Sequence, residues 1–191
     1  MPSLKDTKRR IGSVKNTQKI TRAMKLVASA KYTRANLNLL KAKPYWKGFL
    51  DLVRAALSGG GAPSPLTEVR SEVKKSRLVV VSADRGLCGP LNSALFKYVV
   101  RFLKEQPESV EFSLDLWGKR AVMFGSSREE KVFSSYEKVL EKPNYSFAQK
   151  SFLSYAKAFQ EGELDEVYVA YQTSGNIAVS DEDARRYVDV S

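Results

Sequence analysis

The sequence predicts an α/β protein: a long N-terminal coiled-coil helix followed by a small α/β domain with a mostly parallel sheet. Three observations carry that expectation. Residues 3–57 contain no glycine run and one internal proline, Pro44, and they repeat apolar residues at three- and four-residue spacing. Ser58-Gly59-Gly60-Gly61-Ala62-Pro63-Ser64-Pro65 has linker composition. Beyond it, β-branched apolar runs alternate with helical stripes. The division expected is residues 1–57 as a long basic helix, 58–76 as a linker and 77–191 as the α/β domain.

Ser3 is a good N-cap residue, and Asp6 three positions later supplies an Asp version of the capping box. At ~1.5 Å per residue, a helix of about 55 residues spans roughly 80 Å, far beyond the needs of a small domain. A seam starting Leu4, Thr7, Ile11, Val14 and continuing to Ala42 has apolar or small residues at eight of its twelve positions. Between Ile20 and Ala30 a second apolar face appears, with Ile20, Ala23, Met24 and Val27. A helix apolar on two sides expects protein around it. Pro44 is expected to kink or interrupt the helix, after which Trp46, Phe49, Leu50, Val53 and Leu57 resume the amphipathic spacing.

Charge is concentrated in the same stretch. Residues 1–47 hold thirteen Lys/Arg and one acid, Asp6, for a net +12, whereas the whole chain is +11. The helix therefore carries all of the basicity behind a pI near 9.7. Such a patch suits an acidic protein or a nucleic acid. The seam runs through the basic region, unlike a DNA-reading helix that is polar all round, and Tyr32 is the only aromatic before Tyr45. The balance favours an acidic protein partner over nucleic acid.

Composition removes most catalytic chemistry. The chain has no histidine and one cysteine, Cys88, so Ser-His and Cys-His nucleophile pairs, His-containing metal sites and an internal disulfide are excluded. Neither a metal nor a cofactor is expected. No apolar run approaches the ~18 residues of a membrane span, and the basic N-terminus is followed by no signal-peptide core. A soluble, unprocessed protein without direct membrane insertion is the expectation.

In the second half, Arg77–Ser82 has the β-branched character of a strand buried on both faces. A turn, Asp84 to Pro90, leads into a helix expected over Leu91–Lys104, with its stripe at Leu95, Tyr98, Val99 and Phe102. Either Asn92 caps this helix or Pro90 sits in its first turn. Further strands are expected at Glu111–Trp117, Lys131–Ser134 and Val167–Tyr171. Helices are expected around Lys119–Phe124 and over Phe147–Gln160, the latter with apolar residues at helical spacing through Phe152, Tyr155, Ala156 and Phe159. Strand–helix alternation implies a Rossmann-like parallel sheet with right-handed crossovers.

The turn between the first strand and helix holds Asp84, Arg85, Gly86, Cys88 and Gly89. Phosphate sites are built at such turns, but neither GxGxxG nor GxxxxGK[ST] spacing is present, so structural glycines are the reading. Cys88, with no base beside it, is read as a small packing residue. Asp84 and Arg85 are expected to form a local charge pair rather than a catalytic one.

Three motifs carry a resemblance. SLKDTKRRIGSVKNTQKITRAMKLVASAKYTRA, residues 3–35, resembles the N-terminal helix of the γ subunit of rotary (F-type) ATP synthases. SADRGLCGPLN is similar to that family's SDRGLCGGFN turn, and GELDEVYVAY to its GExDEVYxxY strand. The resemblance implies a non-catalytic central-stalk rotor subunit coupling proton flow to ATP synthesis or hydrolysis in the α and β subunits. It implies contacts with α, β, the ε subunit and the membrane c-ring, on the cytoplasmic face of the bacterial inner membrane. By the same resemblance, Lys8, Arg9, Ile20, Met24, Lys25 and Val27 are rotor–stator contact residues, with Met24 and Lys25 beside an acidic β-subunit loop. In the family a second long helix follows and completes an antiparallel coiled coil, and residues 1–191 include no such helix. A truncated γ-like paralogue, or a basic-helix nucleic-acid binder, is the alternative reading.

Overall fold

The structure, a computed structural model, describes residues 3–58, 65–67, 70–128, 130–141 and 143–172. The glycine–proline linker from Gly59 to Ser64 and the acidic Asp181-Glu182-Asp183 stretch lie outside the described residues. Two compact units divide the chain, Met1–Ala62 and Pro63–Ser191, each considered by itself below.

The first unit is helix α1, Leu4–Ser58, 55 residues long. Its start is the expected capping box. Ser3 Oγ donates to Asp6 Oδ2 at 2.8 Å, and the Asp6 and Ser3 backbone N–H groups bond to the opposite side chain at 3.3 Å. Two donors that a helix start leaves orphaned are thus satisfied reciprocally. Pro44 lies inside α1 and does not end it, which corrects the expected interruption. The proline removes one N–H donor, at a cost of about 3 kcal/mol, but good helix formers flank it and hold the neighbouring turns.

The second unit opens with a short 3₁₀ turn, Pro65–Thr67. It continues as β1 (Lys75–Val81), α2 (Leu91–Glu105), β2 (Glu111–Trp117), α3 (Lys119–Gly125), β3 (Lys131–Tyr136), α4 (Tyr145–Gln160) and β4 (Glu166–Ala170). Every expected strand and helix of this unit is present, with ends shifted by one or two residues. The sheet order is β3-β2-β1-β4, and all three pairings are parallel. Crossovers through α2 and α3 move the chain one way along the sheet, and α4 carries it back past β2 and β1. Keeping a constant crossover hand through that reversal requires α4 on the opposite face.

The side chains agree. Leu78, Val80, Leu114, Leu116 and Ala170 point to the face covered by Leu95 and Val99 of α2 and Ala121 of α3. Val79 and Trp117 point to the face covered by Tyr155 of α4, with Phe147 and Ala158 beside it. This is why β1 reads as an unbroken apolar run: both of its faces are buried. At the sheet's other end, Asp165 Oδ2 accepts the Lys74 and Lys75 backbone N–H groups, each at 2.9 Å, pinning the start of β1 to the start of β4.

Of the two readings of the α2 start, the Asn92 cap fails. Asn92 caps nothing in α2; Pro90 is the N-cap residue, without a side-chain cap bond. The Asn92 amide instead accepts from Ala83 N at 3.1 Å and donates to Cys88 Sγ at 3.2 Å, tying the preceding turn together. On α4, Ser151 and Tyr155 are the buried positions, while Phe152 is half exposed.

Candidate partner-binding helix and domain turn

Along α1 nearly every side chain meets solvent; only Asn36, Leu50 and Val53 are partly covered, the Leu57 side chain being outside the description. Ile20, Met24 and Val27 are 62%, 51% and 59% exposed, and their spacing of four and three residues sets them on one stripe. Lys25 lies about 100° around the helix from Met24, on the seam that also bears Ile11 and Val14. Lys8 and Arg9 sit exposed near the start, one turn beyond the Ser3–Asp6 cap. Asp6, engaged by that cap, is the only acid before Asp51, so the basic residues from Lys15 to Lys43 have no acid within a turn on the helix. An exposed apolar stripe bordered by unneutralised cations is a surface for an acidic, apolar-lined protein. Nothing along it resembles a reaction centre.

In the domain, the turn residues are brought together as a brace. Asp84 Oδ1 accepts the backbone N–H of Lys119 at 2.9 Å and of Lys138 at 2.8 Å, joining the loops that follow β1, β2 and β3. Arg85 turns away from Asp84 and pairs with Glu141 at 3.0 Å, so the expected Asp84–Arg85 pair is not formed. Two backbone amides outcompete a flexible guanidinium for the carboxylate because they are already fixed by the fold. Gly86 and Gly89 are exposed, Cys88 is partly buried, and Leu87 stands at the tip, 94% exposed with φ 61°. Ser82 Oγ accepts Ala121 N at 2.7 Å beneath them. Among the described residues no cluster of Cys, Asp or Glu could hold a metal ion.

Sequence reasoning overlooked a buried polar group on the α4 face of the sheet. Asp115, 2% exposed, accepts from Trp117 Nε1 at 3.1 Å, from the Ser134 hydroxyl at 2.6 Å, and from the Tyr155 hydroxyl. Burial, followed by the hydrogen bond and charge of Asp115, pushes the Tyr155 hydroxyl pKa far above its ordinary value. Arg77, 7% exposed, shares that face. The signal that could have found them is a carboxylate in the middle of the apolar strand Phe112-Ser113-Leu114-Asp115-Leu116-Trp117.

Comparison with known proteins agrees with both units. A family model described as ATP synthase matches residues 3–190. The ATP synthase gamma chain of Pelotomaculum thermopropionicum is 38% identical over 180 residues, which cover 94% of this chain and 62% of that one. The chain belongs to the ATP synthase gamma-chain family. The gamma chain of Geobacter metallireducens is 38% identical over 183 residues, covering 95% of this chain and 63% of the relative. The chain thus spans about three-fifths of the length of the curated relatives it matches. A structure of the central stalk and c-ring of the Tetrahymena thermophila mitochondrial ATP synthase shares the fold, with a TM-score of 0.57 at 20% identity, covering 82% of this chain and 66% of that chain. Among the described residues no helix is long and apolar enough to cross a membrane.

Proposed function

We propose that this gamma-family chain acts as a central-stalk rotor element of a proton-translocating ATP synthase. It would couple proton flow to ATP synthesis or hydrolysis in the α and β subunits without a catalytic group of its own. The observation that carries this reading is α1: 55 residues, capped, exposed along its length, and basic beside an apolar seam. A rigid asymmetric rod of this kind works by differential contact. As it turns, each β subunit meets a different surface and is biased between open and closed states by the difference in contact energy.

Within this proposal, Ile20, Met24 and Val27 give the apolar contact, and Lys25, Lys8 and Arg9 face acidic loops of the surrounding ring. The ε subunit and c-ring would engage the Pro63–Ser191 unit, at the cytoplasmic face of the bacterial inner membrane.

The test is assembly. Purified chain mixed with α and β subunits should co-elute with them as one complex, and Met24→Lys should assemble yet lower ATP-driven proton pumping per ATP hydrolysed. Failure to join the α–β assembly, together with sequence-specific DNA binding that survives physiological salt, would replace the rotor reading by the nucleic-acid one, because nonspecific phosphate attraction falls steeply with salt.

A further inference from the structure

Arg77 is a buried cation with no anion in contact. From β1 it crosses β2, donating Nε–H to Ser113 Oγ at 3.3 Å, and lays its guanidinium carbon 3.4 Å from the ring centroid of Phe133 on the edge strand β3. The Tyr155 ring lies 5.5 Å away on the other side. Its two terminal nitrogens meet no acceptor among the described residues, and they are not sealed from solvent as the unpaired Ser76 hydroxyl is. Asp115 shares the face, but its oxygens accept from Trp117, Ser134 and Tyr155 and make no ion pair with Arg77. Burial accordingly holds the Arg77 guanidinium below its ordinary pKa, with Tyr155 and Asp115 offsetting only part of that effect. Nitrogens that water reaches but no acceptor of the described residues does can exchange that water for an anionic partner, to which the planar fork offers two parallel hydrogen bonds.

The surroundings say what would complete it. The β2–β3 register shifts between Leu114 and Asp115, so that Val132 and Ser134 are paired and Phe133 is the extra, re-aimed residue. Phe133, against the Arg77 head, stays 53% exposed, and Tyr136 farther along β3 and Phe152 of α4 are 38% and 50% exposed. Lys131 adds a further exposed cation at the start of the strand. β3 is an edge strand, and among the described residues no strand pairs with its outer side beyond the bulge, from Ser134 to Tyr136.

We propose that the outer edge of β3 beside Arg77 is a docking site for an acidic, extended segment of a protein partner, one carboxylate of which accepts a bidentate pair of hydrogen bonds from Arg77. A planar guanidinium matches a carboxylate oxygen for oxygen, the open strand edge supplies backbone pairing, and the half-exposed rings bury alternate side chains. A nucleic acid is less well served. One face of Phe133 is occupied by Arg77, and Phe147 packs between Trp117 and Tyr136 at 4.9 Å each, leaving few rings for base stacking. The site belongs to the Pro63–Ser191 unit alone and stands whether or not α1 serves as a shaft.

Amide and arginine Nε–H NMR spectra of the full chain test this at about 150 mM salt, where long-range attraction to α1 is screened. The probes are a blocked octapeptide of alternating Glu and Val, its Gln–Val counterpart, inorganic phosphate and an oligothymidylate. The Glu peptide should shift Arg77 Nε–H and the Ser134–Tyr136 amides saturably. Exchanging Glu for Gln in the peptide, or Arg77→Gln in the protein, should weaken that binding about tenfold or more. Phe133→Ala, at an exposed position, should weaken it too, and it carries the test if Arg77→Gln loses its dispersed sheet amides. Shifts confined to α1, or β3 shifts unchanged in the variants, would overturn the proposal. Phosphate or oligothymidylate matching the Glu peptide at Arg77 would overturn the assignment to a peptide carboxylate.

Discussion

Ser134 on the edge strand and Asp115 in the middle of β2 are joined by a 2.6 Å hydroxyl-to-carboxylate hydrogen bond directly across their register. With Trp117 and Tyr155 donating to the same carboxylate, one buried side chain ties β2, β3 and α4 together. Asp115→Ala would leave all three donors in a dry site without an acceptor. That should cost about 3 kcal/mol or more, against roughly 1 kcal/mol for Ser134→Ala, which removes one donor and leaves the carboxylate two. Urea unfolding followed at the domain's tryptophan, Trp117, measures both. Equal losses would mean that the carboxylate is not the hub.

The acid side of the stability profile should depend on Asp165. Its partial burial works to raise the carboxyl pKa, but the Lys74 and Lys75 backbone donors and the nearby Arg70 and Lys75 charges outweigh it and hold the pKa below the ordinary value. A carboxylate depressed by folding contributes stability that is present above its unfolded pKa of about 3.9 and is lost as pH falls through the folded one. The urea midpoint should therefore drop as the solution is acidified below about pH 4. Asp165→Asn should start lower at neutral pH and show a shallower acid slope. A parallel slope in the variant would assign the acid sensitivity elsewhere.

How much was legible follows from what is local. The Ser3–Asp6 cap, the β-branched run of β1 and the strand Glu111–Trp117 are decided by neighbours in sequence, and each stands where expected. Asn92, one of two residues read for the start of α2, has a real preference for caps, but its side chain bonds Ala83, nine residues back, and Cys88. Phe152 lies on the apolar stripe yet stays half exposed, because α4 presents to the sheet a face set by sheet geometry, on which Ser151 and Tyr155 are buried. Arg77 and Asp115 were invisible as a site for a similar reason. Their partners, Ser113, Phe133, Ser134 and Tyr155, lie on other elements, and only the strand order β3-β2-β1 brings them together.

Backbone strain makes a sharper prediction at Gly118. Its φ is 103°, and a Cβ there would stand 2.2 Å from the Ser82 carbonyl oxygen, a fixed backbone atom at the end of β1. Gly89 also has positive φ, 59°, but open space where the Cβ would go. Gly118→Ala therefore pays both for conformation and for moving β1 against β2, about 3 kcal/mol or more. Gly89→Ala meets only the conformational term, about 1 kcal/mol. Thermal or urea unfolding of the two variants should separate them clearly. Similar losses would show that the approach to Ser82 is relieved at little cost.

The last prediction concerns the unequal support of the two units. Helices draw most of their stability from tertiary packing, and like charges along one face oppose them. Ile11, Val14, Ile20, Met24 and Val27 are each at least 50% exposed, whereas Leu78, Val79, Val80 and Leu114 are at most 2% exposed. Amide hydrogens from Ile11 to Ala35 should accordingly exchange fast in the free chain, and those of Val79 and Val80 slowly, close to the rate set by global unfolding of the domain. Adding the α–β assembly should slow exchange around Ile20–Val27 and leave the sheet unchanged, because only the helix gains a packed face. Raising salt in the free chain should slow the helix slightly by screening its fourteen cations, without approaching the effect of a partner. Protection at Ile11–Ala35 already equal to the sheet in the free monomer would mean that the seam is covered in solution, and the exposed stripe would lose its standing as the partner surface.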